Sequence, residues 1–121
     1  MTDIEEVGGI GSVMKQTIAH LTGVKHLHLS FDIDSIDPMY APGTGTKARG
    51  GLTYRESLYI CNSLSKTGKL HGMDLVEVNP SLDQLEQDAD LHGDHPLIKT
   101  KLPTVRLANL LIANALGLTI V

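Results

Sequence analysis

The stretch HLHLSFDIDSIDP, His26 to Pro38, decides how this chain is read. Leu27, Leu29, Phe31 and Ile33 alternate with His26, His28, Ser30 and Asp32, so the spacing predicts a half-buried β-strand over Lys25–Ile33. Asp32, Asp34 and Asp37 follow at the end of that strand. Period-two alternation turns Asp32 and Asp34 toward one side. Two carboxylates that close cannot both stay ionised without a counter-charge, and an oxygen-bound divalent cation, Mn²⁺ or Mg²⁺, supplies one. The alternative is that one or both accept hydrogen bonds from the following loop, as aspartates do in Asx-turns. Asp37 breaks the parity and precedes Pro38, which suits a carboxylate that braces the loop. His26 and His28 share the face of Asp32 but lie about 20 Å and about 13 Å from it along the strand. One metal cannot span that, and both read as structural histidines.

Upstream, Ile4, Val7, Ile10, Val13, Met14, Ile18 and Leu21 step by three and four, predicting an amphipathic helix from about residue 3 to 21. Thr2 and Glu5 have capping-box spacing, while Gly8, Gly9 and Gly11 weaken the first half. Downstream, Asp34 to Gly51 is aperiodic and rich in Gly and Pro. A loop of that length in a compact domain is functional or disordered. Thr53 and Glu56 form a second capping box, opening a helix to Lys66 through Leu58, Ile60, Cys61 and Leu64. Lys69–Val78 reads as a second strand, stopped by Pro80. Residues 81–103 are polar and acidic and read as a loop or insert. A last helix spans about Thr104 to Leu116, and Gly117 ends it. Strands separated by helices predict an α/β fold with a parallel sheet and right-handed crossovers, whose ligands bind at the carboxyl ends of the strands. Two strands are too few for a stable sheet, so something outside this sequence is expected to cover its edges.

Composition narrows the function. The 121 residues amount to one domain, 41% hydrophobic and 20% charged, which describes a folding globule. Net charge is −4, and no Lys/Arg run or aromatic ladder suits a phosphate backbone, so nucleic acid is not an expected partner. Leu107–Val121 is too short and too polar to span a bilayer, so no membrane partner is expected. The N-terminus has no secretory signal, which leads to a cytoplasmic expectation. Cys61 is the only cysteine, so no internal disulfide forms; it reads as a filler rather than a nucleophile.

Ser30-Phe-Asp-Ile-Asp34, with Pro38, Pro42-Gly43 and Gly51, resembles the metal-binding signature of the ureohydrolases, the arginase and agmatinase family. Gly51-Leu-Thr-Tyr-Arg-Glu56 and Glu77-Val-Asn-Pro80 resemble arginases in particular; agmatinases share the PGTG loop but usually depart from EVNP. The resemblance runs continuously from residue 1 to about 82 and more loosely through the last helix. It implies an open, parallel-sheet, three-layer α/β/α fold, of which residues 1–121 form a single partial domain with about two strands and three helices. It implies hydrolysis of L-arginine to L-ornithine and urea at a binuclear Mn²⁺ centre, with agmatine as the alternative substrate, in a homotrimer or other homo-oligomer. Asp32 matches a bridging metal ligand and Asp34 a ligand of one ion. Thr46 matches a substrate-pocket residue, and Glu77 matches the carboxylate that receives the guanidinium. A strand-end carboxylate also fits a planar cation on physical grounds. Arg55 and Glu56 match residues of the family's trimer contact.

The family's other ligands, a histidine and a D-x-H-x-D motif, and its proton-shuttle histidine, match strands that would precede Met1. This chain therefore resembles the C-terminal part of an arginase. Alone it is expected to bind manganese weakly and to turn over little or nothing. A non-catalytic, arginase-like assembly or interaction piece is the alternative. Asp90, His92 and Asp94 repeat the D-x-H-x-D spacing but follow a polar run, and read either as chance in an acidic loop or as an adventitious metal site. Lys47 and Arg49 depart from the family's usual residues and would repel a cationic substrate slightly unless they point to solvent.

Overall fold

The computed structural model describes residues 2–84 and 100–118. Asp90, His92 and Asp94 lie outside these, as does most of the polar stretch around them. The element order is α1 (Thr2–Glu6), α2 (Ile10–His20), β1 (Leu27–Asp32), α3 (Tyr54–Lys66), β2 (Leu70–Val76) and α4 (Pro103–Ala115). Short 3₁₀ turns follow each strand, at Ile33–Ser35 and Pro80–Leu82.

The single N-terminal helix expected over residues 3–21 is two helices, so the described residues hold four helices where about three were expected. Gly8 and Gly9 adopt φ of 97° and 88°, outside the helical region, and the apolar spacing resumes in α2 after the break. Only glycine reaches such angles cheaply, so the pair that weakened the helical pattern interrupts the helix outright. The capping box at α3 is complete: the Thr53 hydroxyl accepts from Glu56 N at 3.1 Å, and Glu56 Oε2 accepts from Thr53 N at 3.3 Å. Helix α4 carries Pro103 in its first turn, where the missing N–H costs nothing.

β1 and β2 pair in parallel, with Leu29 opposite Met73, Phe31 opposite Leu75 and Asp32 opposite Val76. An irregularity after Leu27 places Gly72 opposite His28, leaving His71 as an extra residue on β2. Leu27, Leu29 and Phe31 turn inward while His26, His28, Ser30 and Asp32 are exposed, as the alternation predicts. Phe31, Ile33, Ile36 and Ala41 from the β1 region pack with Cys61 of α3 and with Leu107, Ala108, Leu111 and Ala115 of α4. Helix α3 packs against both α4 and α2. The thiol of Cys61 is fully buried and its pKa is pushed up to about 12 by burial, so it fills the core as read and is a poor nucleophile.

The opposite sheet face is polar. Asp74 accepts from Ser30 Oγ at 2.6 Å and pairs with His28 Nε2 at 2.7 Å, while His26 and His71 meet edge to face at 4.2 Å. The histidines read as structural thus have partners across the strands. Among the described residues, no helix is long and apolar enough to cross a membrane.

Candidate functional site

The register places the two strand ends side by side. Asp32 closes β1 opposite Val76, and Glu77 is the next residue along. Asp34, expected to share a face with Asp32 by strand alternation, instead leaves the strand on the 3₁₀ turn. The reason lies in the neighbours. Ile33 and Ile36 are 0% and 1% exposed, and the turn allows both to enter the core three residues apart. Asp34 is left half-buried between them. Asp32 Oδ1 accepts from Asp34 N at 3.0 Å, and Ser35 Oγ donates to the Asp32 carbonyl at 2.7 Å. Asp32 therefore makes the Asx-type bond and presents a carboxylate at the rim as well.

The electrostatics of this corner are one-sided. Partial burial raises the Asp34 pKa from 3.8; the hydrogen bond and charge of Asp32 raise it further, and so does the charge of Glu77. Every influence on Asp34 acts upward, so among the described residues none offsets the negative charge beside it. Its donors are carboxylate oxygens, the chemistry that suits a hard divalent cation. Asp32 and Asp34 would hold one edge of such a centre. Among the described residues no group of three or more His, Cys, Asp or Glu side chains is arranged to hold a metal ion.

Glu77 is exposed and has φ of 69°, the one non-glycine residue described in the left-handed region. Backbone strain of this kind costs about 1–3 kcal/mol and persists where neighbours hold it. On one side is β2. On the other, Val78 packs against the core and Asn79 N donates to the Gly43 carbonyl at 2.8 Å.

That carbonyl belongs to the Pro42-Gly43-Thr44 loop, which is buried from Ala41 to Thr44 and exposed from Gly45 to Gly50. Gly43 N donates to Thr104 Oγ1 at 2.7 Å. A Cβ at position 43 would lie 2.8 Å from Asp83 Cγ and 2.9 Å from Thr104 Oγ1, so this approach requires glycine. Thr46 is exposed and makes no hydrogen bond among the described residues; the geometry brings Asp32, Asp34 and Glu77 together but does not tie Thr46 to them. Lys47 and Arg49 are both exposed.

Asp37 braces the loop as read: Oδ1 accepts from Met39 N and Oδ2 from Gly50 N, both at 2.9 Å. These bonds hold its pKa below 3.8. A bridge between Ile36 and Leu52 pins the loop's two ends together. Glu56 is engaged in the α3 cap, whereas Arg55 is exposed. The sequence reading missed Asp83 and Thr104. Their link spans 21 positions, and no local spacing signals it.

A family model described as the Arginase family matches residues 1–97. Arginase-1 of Bos taurus is 50% identical over 90 residues, covering 73% of this chain and 28% of that protein. Among solved structures, arginase from Bacillus subtilis superposes with a TM-score of 0.78 at 32% identity, covering 99% of this chain and 35% of that one. Entamoeba histolytica arginase, solved in complex with L-ornithine, gives 0.75 at 29% identity, covering 97% of this chain and 34% of that one. The described elements are thus a portion of the α/β arginase fold. The chain spans about 28% of the length of the first curated relatives it matches.

Proposed function

The chain belongs to the arginase family, and from that premise we propose that it carries the substrate-facing rim of a manganese-dependent hydrolase that converts L-arginine to L-ornithine and urea. The observation that carries this reading is the meeting of Asp32, Asp34 and Glu77 at the carboxyl ends of two adjacent parallel strands. Asp32 and Asp34 would hold the metal through their carboxylate oxygens. Manganese, when bound, supplies Lewis acidity that makes a water nucleophilic near neutral pH. Glu77 receives the guanidinium group: a planar, delocalised cation is matched by a carboxylate that accepts two parallel hydrogen bonds. The fixed backbone at Glu77 sets where that cation rests. Thr46 contributes from the exposed half of its loop, and the remaining metal donors come from outside the described residues. Exposed Arg55 is available for contact between subunits of a homotrimer.

A second reading, a non-catalytic arginase-like assembly piece, draws on the same donor count, since two carboxylates alone hold manganese weakly. Metal analysis beside a urea-release assay separates the two. In the protein carrying its full ligand set, Asp32→Ala and Asp34→Ala each lower bound manganese and cut turnover by about a hundredfold or more. Glu77→Ala keeps the metal and loses arginine binding. Unchanged metal content in both aspartate variants would refute the ligand assignment. A folded protein with bound manganese and no urea release would favour the assembly piece.

A further inference from the structure

We infer that Asp83 is a positioning residue for Glu77, acting through Thr104 and Gly43. This rests on the guanidinium-binding reading of Glu77. Helix α4 has no side-chain cap from its own flank: Leu102 stands at the N-cap position. Asp83 supplies the missing acceptor from across the chain. Its two carboxylate oxygens accept from Thr104 N at 3.2 and 3.0 Å, from Val105 N at 3.2 Å and from Thr104 Oγ1 at 2.7 Å. A carboxylate is the best group for this place, because the first N–H groups of a helix carry its partial positive charge.

The hydroxyl of Thr104 is the relay. With its proton directed to Asp83, its lone pairs face Gly43 N, which donates to it at 2.7 Å. A hydroxyl that both donates and accepts is fixed in rotation, and each bond polarises the next. Gly43 then turns its carbonyl to Asn79 N at 2.8 Å. Asn79 is held a second time through its side chain, whose Oδ1 accepts from Ser81 N at 3.1 Å and Ser81 Oγ at 2.6 Å. Two residues before this anchor lies Glu77 with its left-handed backbone. A strained φ relaxes unless both flanks are fixed. β2 fixes one flank, and the line from Asp83 through Thr104 and Gly43 to Asn79 fixes the other. The same line seats the loop that leads to Thr46. Thr104 is fully buried, so water does not replace a lost bond cheaply.

The test uses the protein carrying its full ligand set, labelled for NMR, with Asp83→Asn, Thr104→Val and Thr104→Ser. Thr104→Val retains the shape and the N–H bonds to Asp83, so α4 stays capped and the protein stays folded. Amide exchange at Gly43 and Asn79, the Glu77 amide resonance and titration with L-arginine are read in each. Asp83→Asn and Thr104→Val should lower protection at Gly43 and Asn79 by roughly tenfold, shift the Glu77 resonance and weaken arginine binding by a similar factor. Thr104→Ser, which keeps the hydroxyl, should restore all three. Loss of protection confined to α4, with Gly43, Asn79 and Glu77 unmoved, would reduce Asp83 to a helix cap and overturn the inference, as would unaltered arginine affinity in both variants. If Glu77 responds to the variants while the unsubstituted protein, with its full ligand set, binds no arginine, the positioning stands and the guanidinium reading falls.

Discussion

Asp37 directs both carboxylate oxygens onto backbone N–H groups, and the pH dependence of the fold follows from that. Its pKa is lowered from 3.8 chiefly by the Met39 and Gly50 N–H groups, so it binds protons less readily folded than unfolded. Its contribution to stability is therefore present above pH 3.8 and lost as pH falls through the lower, folded value. Asp34 works in the opposite sense. Its pKa is raised, so its protonated form favours folding below 3.8, and that support is lost as pH rises through the raised value. We expect Asp37→Asn to flatten the acid limb of the stability curve, measured as the urea midpoint between about pH 2 and about pH 5; an unchanged limb would mean that the Asp37 bonds do not form in solution. The bracing role of Asp37 was legible because parity and Pro38 are local signals. Asp83 was not legible: an acid in a polar run looks solvated until the fold brings a helix terminus to it.

Elements are held by what they bury. Helix α4 supplies Leu107, Ala108, Leu111 and Ala115 to the core, and Leu111 is 0% exposed. Leu111→Ala should cost about 2–5 kcal/mol, through lost transfer energy and the cavity left behind. Ile112→Ala, one position along and 39% exposed, should change stability by no more than about 0.5 kcal/mol. Equal effects in denaturant titrations would contradict the assigned face of the helix. The start of α3 was readable from Thr53 and Glu56. The N-terminal helix was overextended because apolar spacing continued across Gly8 and Gly9, where the backbone does not. The end of β1 was misplaced because Ile33 satisfies two templates: it alternates with Phe31 as a strand would, and it pairs with Ile36 as a turn would. Burying both isoleucines is the stronger demand.

At the scale of the whole molecule, the Asp83–Thr104 bonds bring together the two ends of a long polar segment. The α/β class and the parallel pairing could be read from two alternating runs separated by a helix; the lateral placement of Asp32 beside Glu77 could not, because register is a property of the pair. That pairing also governs how the chain reaches its native state. Leu27 meets Leu70 only after the loop and α3 between them have been brought round, so the sheet has no hairpin from which to zip. Its formation is a non-local event, and in a nascent chain β1 cannot pair with β2 until β2 has been made.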